Sequence, residues 1–405
     1  MKAFIISLGC PKNQVDTESL MTKLSQEGYS FTNNPKEADL ILINTCAFIK
    51  SAKEESIDNI LEMAKYKKTG KCKHLIVAGC LPQRYKQELP KLLPEVDAFI
   101  GTPSKFKKEE QEEEKVRITP PWTAYVKISE GCNNLCSYCT IPKIRGRLRH
   151  RPMKDVLTEV KLLAKSGAIE IIFIAQDTTV YPKLPLLLKK AAKIDKIKWI
   201  RLLYAHPAHV TDELIETIAA EKKIIKYLDL PIQHVSDKIL NKMNRHYGRS
   251  DLRQLISKIR RRIPKIALRS SVIVGFPGEG QREFNELLSF VKEVRFERLG
   301  VFCYSREEGT PAYYMRGQVS EREKKGRLSK IMRQQAKISL EKNKKMIGQI
   351  IEVLIENNNQ GRSCFDAPEI DGSVLVQSTK KLTLGRIVKV CITGAKTYDL
   401  VGCLT

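Results

Sequence analysis

The chain has no apolar run approaching the ~20 residues that a membrane-spanning helix needs. A secretory leader is not expected either: that requires roughly 7–15 apolar residues behind a charged start, and only Ala3–Leu8 follow Lys2 before Gly9 and Cys10. Leu8-Gly9-Cys10 therefore lacks the context of a lipidated cysteine. The expectation is a cytoplasmic protein with no membrane partner. Acidic residues are in deficit, 46 against 71 basic, so the net charge is +25. Such an excess suits an anionic partner such as RNA or the ribosome, although much of it is dispersed lysine. An even cysteine count is missing too. Eleven cysteines where no leader is expected argue against a disulfide framework. Their positions carry the information.

With 42% hydrophobic residues in 405, the chain has material for several cores. The first hundred residues alternate. Strands are expected at Ala3–Leu8, Ala38–Asn44, His74–Ala78 and Val96–Ile100. Helices are expected at Asp16–Gly28, Ser51–Lys67 and Gln83–Leu92. Near-continuous apolar strands between helices indicate a doubly wound parallel α/β domain. Cys10, Cys46 and Cys80 each fall just past the carboxyl end of a different strand. Ligands of such sheets bind in that crevice. Three thiols at one topological position form a candidate ligand set. Three buried core cysteines are the plainer alternative.

A charge run at 105–115, closed by Pro120-Pro121, reads as a linker. From Trp122 to Met346 six further strands alternate with helices: Ala124–Ser129, Ile169–Ala175, Trp199–Tyr204, Lys226–Leu230, Ala267–Gly275 and Arg298–Tyr304. This predicts a partial or complete parallel βα barrel, whose chemistry lies on the loops after the strands. After a basic helix at Glu321–Met346, the stretches IIEVLIE, GSVLVQ, GRIVKVCITGA and YDLVGCL predict a small antiparallel, OB-like barrel. The expected division is 1–112, a linker at 113–121, 122–346 and 347–405.

The loop after the first barrel strand reads GCNNLCSYCTIP. Cys132, Cys136 and Cys139 form C-x3-C-x2-C. Three thiolates leave one iron of a four-iron cubane open. A closed zinc site takes four ligands, and no second cysteine pair follows. His206 and His209 have ligand-like spacing, but Pro207 argues against a regular helix there. Gly275-Phe276-Pro277-Gly278 lacks the GK[ST] ending of a phosphate loop and reads as a turn.

This loop, at this place in a βα barrel, resembles the radical S-adenosylmethionine (SAM) superfamily. The three-part chain as a whole resembles the methylthiotransferases. LGCPKNQVDTE, NTCAFIKSAKEESI, GCLPQRY, AQDTTVY, LDLPIQH, VGFPGE and DAPEIDG are similar to the branch that modifies an aspartate of ribosomal protein uS12. The tRNA adenosine branch, the MiaB type, is the alternative. The resemblance implies two 4Fe–4S clusters. Cys132, Cys136 and Cys139 would hold the one that binds SAM and, given an electron from a reductant such as flavodoxin or ferredoxin, cleaves it to a 5′-deoxyadenosyl radical. Cys10, Cys46 and Cys80 would hold a second, which carries sulfur. One SAM would give the methyl group and another would make the radical that takes hydrogen from the aspartate β-carbon. Gln176, Asp177, Arg201, Gln233, His234 and Ser271 are the expected SAM contacts. Tyr138, between two ligands, would shield the cluster or meet adenine. The terminal module would be a TRAM domain. Its acids Asp366, Glu369 and Asp371 suggest a surface for basic uS12, free or in the small ribosomal subunit, and the basic helix before it suggests an rRNA contact.

Overall fold

The structure, a computed structural model, describes residues 1–102, 115–379 and 381–405. Most of the charge run and the first two residues of the expected linker lie outside them. Thr119 is anchored: its amide and hydroxyl both donate to Glu18 Oε1.

The first domain is a parallel sheet of β1 (Lys2–Ser7), β2 (Ser30–Phe31), β3 (Leu40–Thr45), β4 (His74–Gly79) and β5 (Ala98–Ile100), in the order β2-β1-β3-β4-β5. β3 is LILINT, buried at every position, as a central strand covered on both faces must be. β1, β3 and β4 are neighbours, so the three loops after them share one edge of the domain. The order reverses between β1 and β3, the place where such sheets bind ligands. The helix α1 (Pro11–Gln26) begins on the first of these loops, with Cys10 at its N-cap. The helix expected at Gln83–Leu92 is two short turns, Cys80–Arg84 and Leu89–Leu92, so Cys80 itself opens a turn.

The central domain has six parallel strands. They are β6 (Thr123–Lys127), β9 (Glu170–Ile174), β10 (Trp199–Leu202), β11 (Tyr227–Asp229), β12 (Ala267–Val274) and β13 (Arg298–Cys303); a short hairpin, β7 (Ser129–Glu130) with β8 (Arg149–His150), follows the first. Two three-stranded sheets, β10-β9-β6 and β11-β12-β13, join through a bridge between Ile200 and Ile224. All six lie where periodicity placed them, and the result is a partial barrel. Its outer core holds Phe173, Leu187, Leu228, Phe284 and Phe290, each at most 1% exposed.

The third domain is a closed barrel, β14 (Ile350–Asn357), β15 (Gln360–Ser363), β16 (Val374–Gln377), β17 (Ile387–Ala395) and β18 (Leu400–Leu404), in the order β14-β15-β16-β18-β17. β15, with the sequence QGRS, has no apolar alternation to announce it. The loop after it fills the amino end of the central barrel. Ala367 and Leu354 join a cluster with Ile172, Trp199, Tyr227 and Ala267. Arg298 at the start of β13 donates to Asp366 Oδ1 at 2.8 Å, and Tyr227 donates to Asp371 Oδ2 at 2.7 Å. Asp366 and Asp371 therefore face the central barrel, and only Glu369 of the three acids is exposed. This corrects the expectation of an acidic surface for a basic protein. The acids answer arginines that sequence reading had no means to pair with them.

Candidate functional site: two cysteine sets on facing strand ends

Cys10, Cys46 and Cys80 lie on the three neighbouring loops, within electrostatic reach of one another. Cys46 and Cys80 are buried, Cys10 is half-buried, and none is in a disulfide. Burial, helped by the Cys46 and Cys10 sulfurs and opposed by Arg145, pushes the Cys80 thiol up to about 12; burial and Cys10 also raise Cys46. Three thiols gathered at one edge of the sheet, two of them buried, are a donor set that a bound cation would stabilise. The loops are stitched together by Asn13, one turn into α1. Its Nδ2 donates to Leu8 O at 3.0 Å and Thr45 O at 2.8 Å, and its Oδ1 accepts from Cys80 Sγ at 3.4 Å. Gly9 has φ +94, and a Cβ there would stand 2.8 Å from Cys46 Cβ and 3.1 Å from its sulfur. Left-handed backbone and close approach both demand glycine. Gly9→Ala is expected to cost about 1–3 kcal/mol and to lower the iron bound by this set, read as thermal midpoint and iron-to-protein ratio.

Cys132, Cys136 and Cys139 lie on the loop between Gly131 and α-helical Ile141–Arg145. Burial, then Cys136, raises Cys139 to about 12, and burial raises Cys132. Arg245 is buried and donates Nη1 to Cys136 Sγ at 3.5 Å. Among the described residues, the only three donors within 4.8 Å of one another are Asp177, His206 and His209. The Tyr138 ring stands edge-on to Phe276, centroids 6.4 Å apart.

Buried charge lies between the first set and the loop of the second, where the Cys132 amide donates to Gly146 O, next to Arg145. Arg145 donates Nη1 to Asp16 Oδ2 at 2.9 Å and Glu130 Oε1 at 3.0 Å, and Nη2 to Asn13 Oδ1 and to Cys80 Sγ at 3.7 Å. Lys127 completes the group between Asp16 and Glu130. Gln176 Nε2 donates to the same Glu130 Oε1 at 2.9 Å. A chain of polar contacts thus runs from Cys80 through Arg145 and Glu130 to the end of β9.

The expected SAM contacts divide. Gln176 Oε1 is buried with no partner, an acceptor aimed at something the protein does not supply. Gln233 is held at φ +64 by its backbone bonds to Ser271 O and Ile273 N, and Ser271 is half-buried on β12 beside Arg269. Asp177 has both oxygens occupied: Oδ1 accepts from Thr179, and Oδ2 from Asn134 at 2.8 Å and His209 at 2.7 Å. Burial opposes its charge, yet the His209, Thr179 and Asn134 bonds outweigh it and hold its pKa low. Asp177 therefore braces the cysteine loop through Asn134, and the His206–His209 pair belongs to that brace. Arg201 and His234 do not fit. Arg201 is fully buried, and its Nε runs back to Glu170 at the start of β9, at 2.9 Å. His234 is fully buried behind Glu279, and burial drops its pKa to about 3. Position near a strand end does not say which way a side chain leans.

The sequence motifs can now be compared with known proteins. Residues 2–101 match the uncharacterized protein family UPF0004, residues 126–291 the radical SAM superfamily, and residues 347–404 the TRAM domain. The chain is 49% identical to the ribosomal protein uS12 methylthiotransferase RimO of Citrifermentans bemidjiense, over 99% of this chain and 98% of that one. The chain belongs to the RimO family. RimO of Geobacter sulfurreducens is 48% identical over the same shares, and RimO of a Thermoanaerobacter species 48% over 98% of both chains. Among solved structures, the radical SAM methyltransferase TsrM from Kitasatospora setae, with cobalamin and a [4Fe–4S] cluster bound, shares the fold. Its TM-score is 0.55 at 14% identity, covering 77% of this chain and 76% of that one. As a member of the RimO family, the chain is a radical SAM transferase. No described helix is long and apolar enough to cross a membrane. Sequence reading missed Arg145, Glu130, Asn13 and Arg245. Arg145 lies six residues past Cys139, and Asn13 three past Cys10, so nearness to the ligands was the only available signal.

Proposed function

We propose that this chain attaches a methylthio group to the β-carbon of an aspartate in ribosomal protein uS12. The observation that supports this most is the buried charge network that runs from Cys80 of one incomplete cysteine set into the domain that carries the other, in a chain whose full-length relatives carry that activity in their names. Cys10, Cys46 and Cys80 would hold one 4Fe–4S cluster, and Cys132, Cys136 and Cys139 the other. Bound SAM and the clusters supply the electron transfer, hydrogen abstraction and sulfur that side chains cannot supply at neutral pH. The chain's own residues do the rest. Gln176 Oε1 offers its free lone pair to the SAM ammonium, with Gln233 and Ser271 at neighbouring strand ends. Asp177 holds the Cys132–Cys139 loop in place through Asn134. Arg145 and Arg245 each set a guanidinium against one ligand sulfur, which lowers the electron density there. The TRAM domain and the basic face of the helix Glu321–Lys344 suit rRNA of the small subunit. A flavodoxin or ferredoxin would bring the electron.

Comparing the intact and fragment masses of uS12 from cells with and without the gene tests this. A methylthio increment on one aspartate that disappears with the gene is the expected result. An unchanged uS12, with a 2-methylthio adenosine lost from tRNA, would overturn it.

A further inference from the structure

Among the described residues, the charged groups between the first cysteine set and the mouth of the central barrel are mostly paired, and Lys12 has no carboxylate of its own. Lys127 pairs with Asp16 and Glu130, Arg145 with the same two acids, and Arg269 with Asp229 at 2.9 Å. Lys12 is 7% exposed. Its Nζ lies 3.2 Å from the centroid of the Tyr204 ring and has no ion-pair partner among the described residues. Its strongest anionic influence is the Cys10 sulfur, and the two acids beyond it, Asp229 and Glu130, are committed. Asp229 accepts from Arg269 and from the Tyr204 amide, and Glu130 accepts from Lys127, Arg145 and Gln176.

The placement is specific. Lys12 stands two residues past Cys10, in the first turn of α1, where helix amides present positive charge. The N-cap side chain makes no capping bond. Tyr204 follows β10 at the carboxyl mouth of the central barrel and is held at φ +63, a cost that a tyrosine accepts only under constraint. One end of the contact therefore belongs to each domain. A buried lysine lying on a ring, beside Cys10 and without a paired carboxylate, offers a place for one.

We propose that Lys12, on the Tyr204 face, receives the side-chain carboxylate of the substrate aspartate. This rests on the uS12 reading given above. The carboxylate is bonded to the carbon that is to be modified, so holding it here fixes that carbon between the two cysteine sets. The same cation gives no comparable hold on a neutral side chain, so it selects aspartate over asparagine.

The test uses the anaerobically reconstituted enzyme and recombinant uS12 carrying either its modified aspartate or asparagine at that position. Affinity and methylthio product are measured for wild type, K12M and K12R; iron content and thermal midpoint report folding. Wild type is expected to favour the aspartate form by about 10-fold or more. K12M should lose that preference and K12R should keep it. A K12M enzyme that still prefers aspartate overturns the assignment and leaves Lys12 to a sulfur or SAM anion. A wild type that modifies aspartate uS12 but binds both forms equally also overturns it, whatever the fate of K12M, while leaving the uS12 reading intact. A wild type that modifies neither form overturns the uS12 reading, and this inference with it.

Discussion

Cys80→Ala and Cys136→Ala are expected to separate the two halves of the reaction. Each removes one of three sulfurs from a set, and a cubane held by two thiolates is not retained. Each variant should therefore bind about half the iron of the wild type. The functional outcomes differ. Cys136→Ala removes the ligand beside Arg245, on the loop braced by Asp177, and should end both SAM cleavage and uS12 modification. Cys80→Ala leaves that loop, Gln176 and the barrel mouth untouched. It should still convert SAM to 5′-deoxyadenosine and methionine under reducing conditions while forming no methylthio product. Chromatography of the small molecules and mass spectrometry of uS12 read the two activities separately. A Cys80→Ala enzyme that made product would remove the first cysteine set from the chemistry.

The two sets differed in how legible they were. The second is a local motif: Cys132, Cys136 and Cys139 sit within eight residues, and spacing alone identifies the chemistry. The first spans 71 positions and became visible only through topology, because three strand ends in one sheet must share an edge. Strand periodicity located β1, β3 and β4 because buried strands are apolar throughout. It did not locate β2, two residues long, or β15, whose QGRS sequence makes its bonds with backbone and charge. Long-range polar pairs were not legible at all. Asp366 finds Arg298 at a separation of 68 residues, and Tyr227 finds Asp371 at 144. A charge pattern says only that a residue needs a partner or water. That is why an acidic loop that seals the barrel looked like an exposed surface, and why Arg201 looked like a ligand contact.

The largest expected effect on stability follows from the network between the first set and the central domain. Arg145→Met would leave Asp16 and Glu130 buried with only Lys127 between them, and Asn13 Oδ1 without its strongest donor. Removing one partner from a buried ion group costs about 3–5 kcal/mol, because the remaining charge stays out of water. Burial works against the Glu130 carboxylate, but Lys127 and Arg145 outweigh it and bring its pKa down to about 2 from 4.5. A depressed carboxylate pKa contributes stability that is complete above the unfolded value and lost as pH falls through the folded one. The deficit of Arg145→Met, measured by denaturant unfolding, should therefore be constant from pH 8 to pH 5 and narrow only below about 4.5. Arg145→Lys should recover part of it, since one ammonium cannot present a planar fork to Asp16, Glu130 and Asn13 together. The same change reaches the chemistry. Arg145 Nη2 lies 3.7 Å from Cys80 Sγ, so losing the guanidinium should lower the reduction potential of the cluster on the first cysteine set and leave the second unmoved. A redox titration followed by electron paramagnetic resonance would show one couple shifted and the other in place. If both potentials held while stability fell, Arg145 would be a structural clasp between the domains and nothing more.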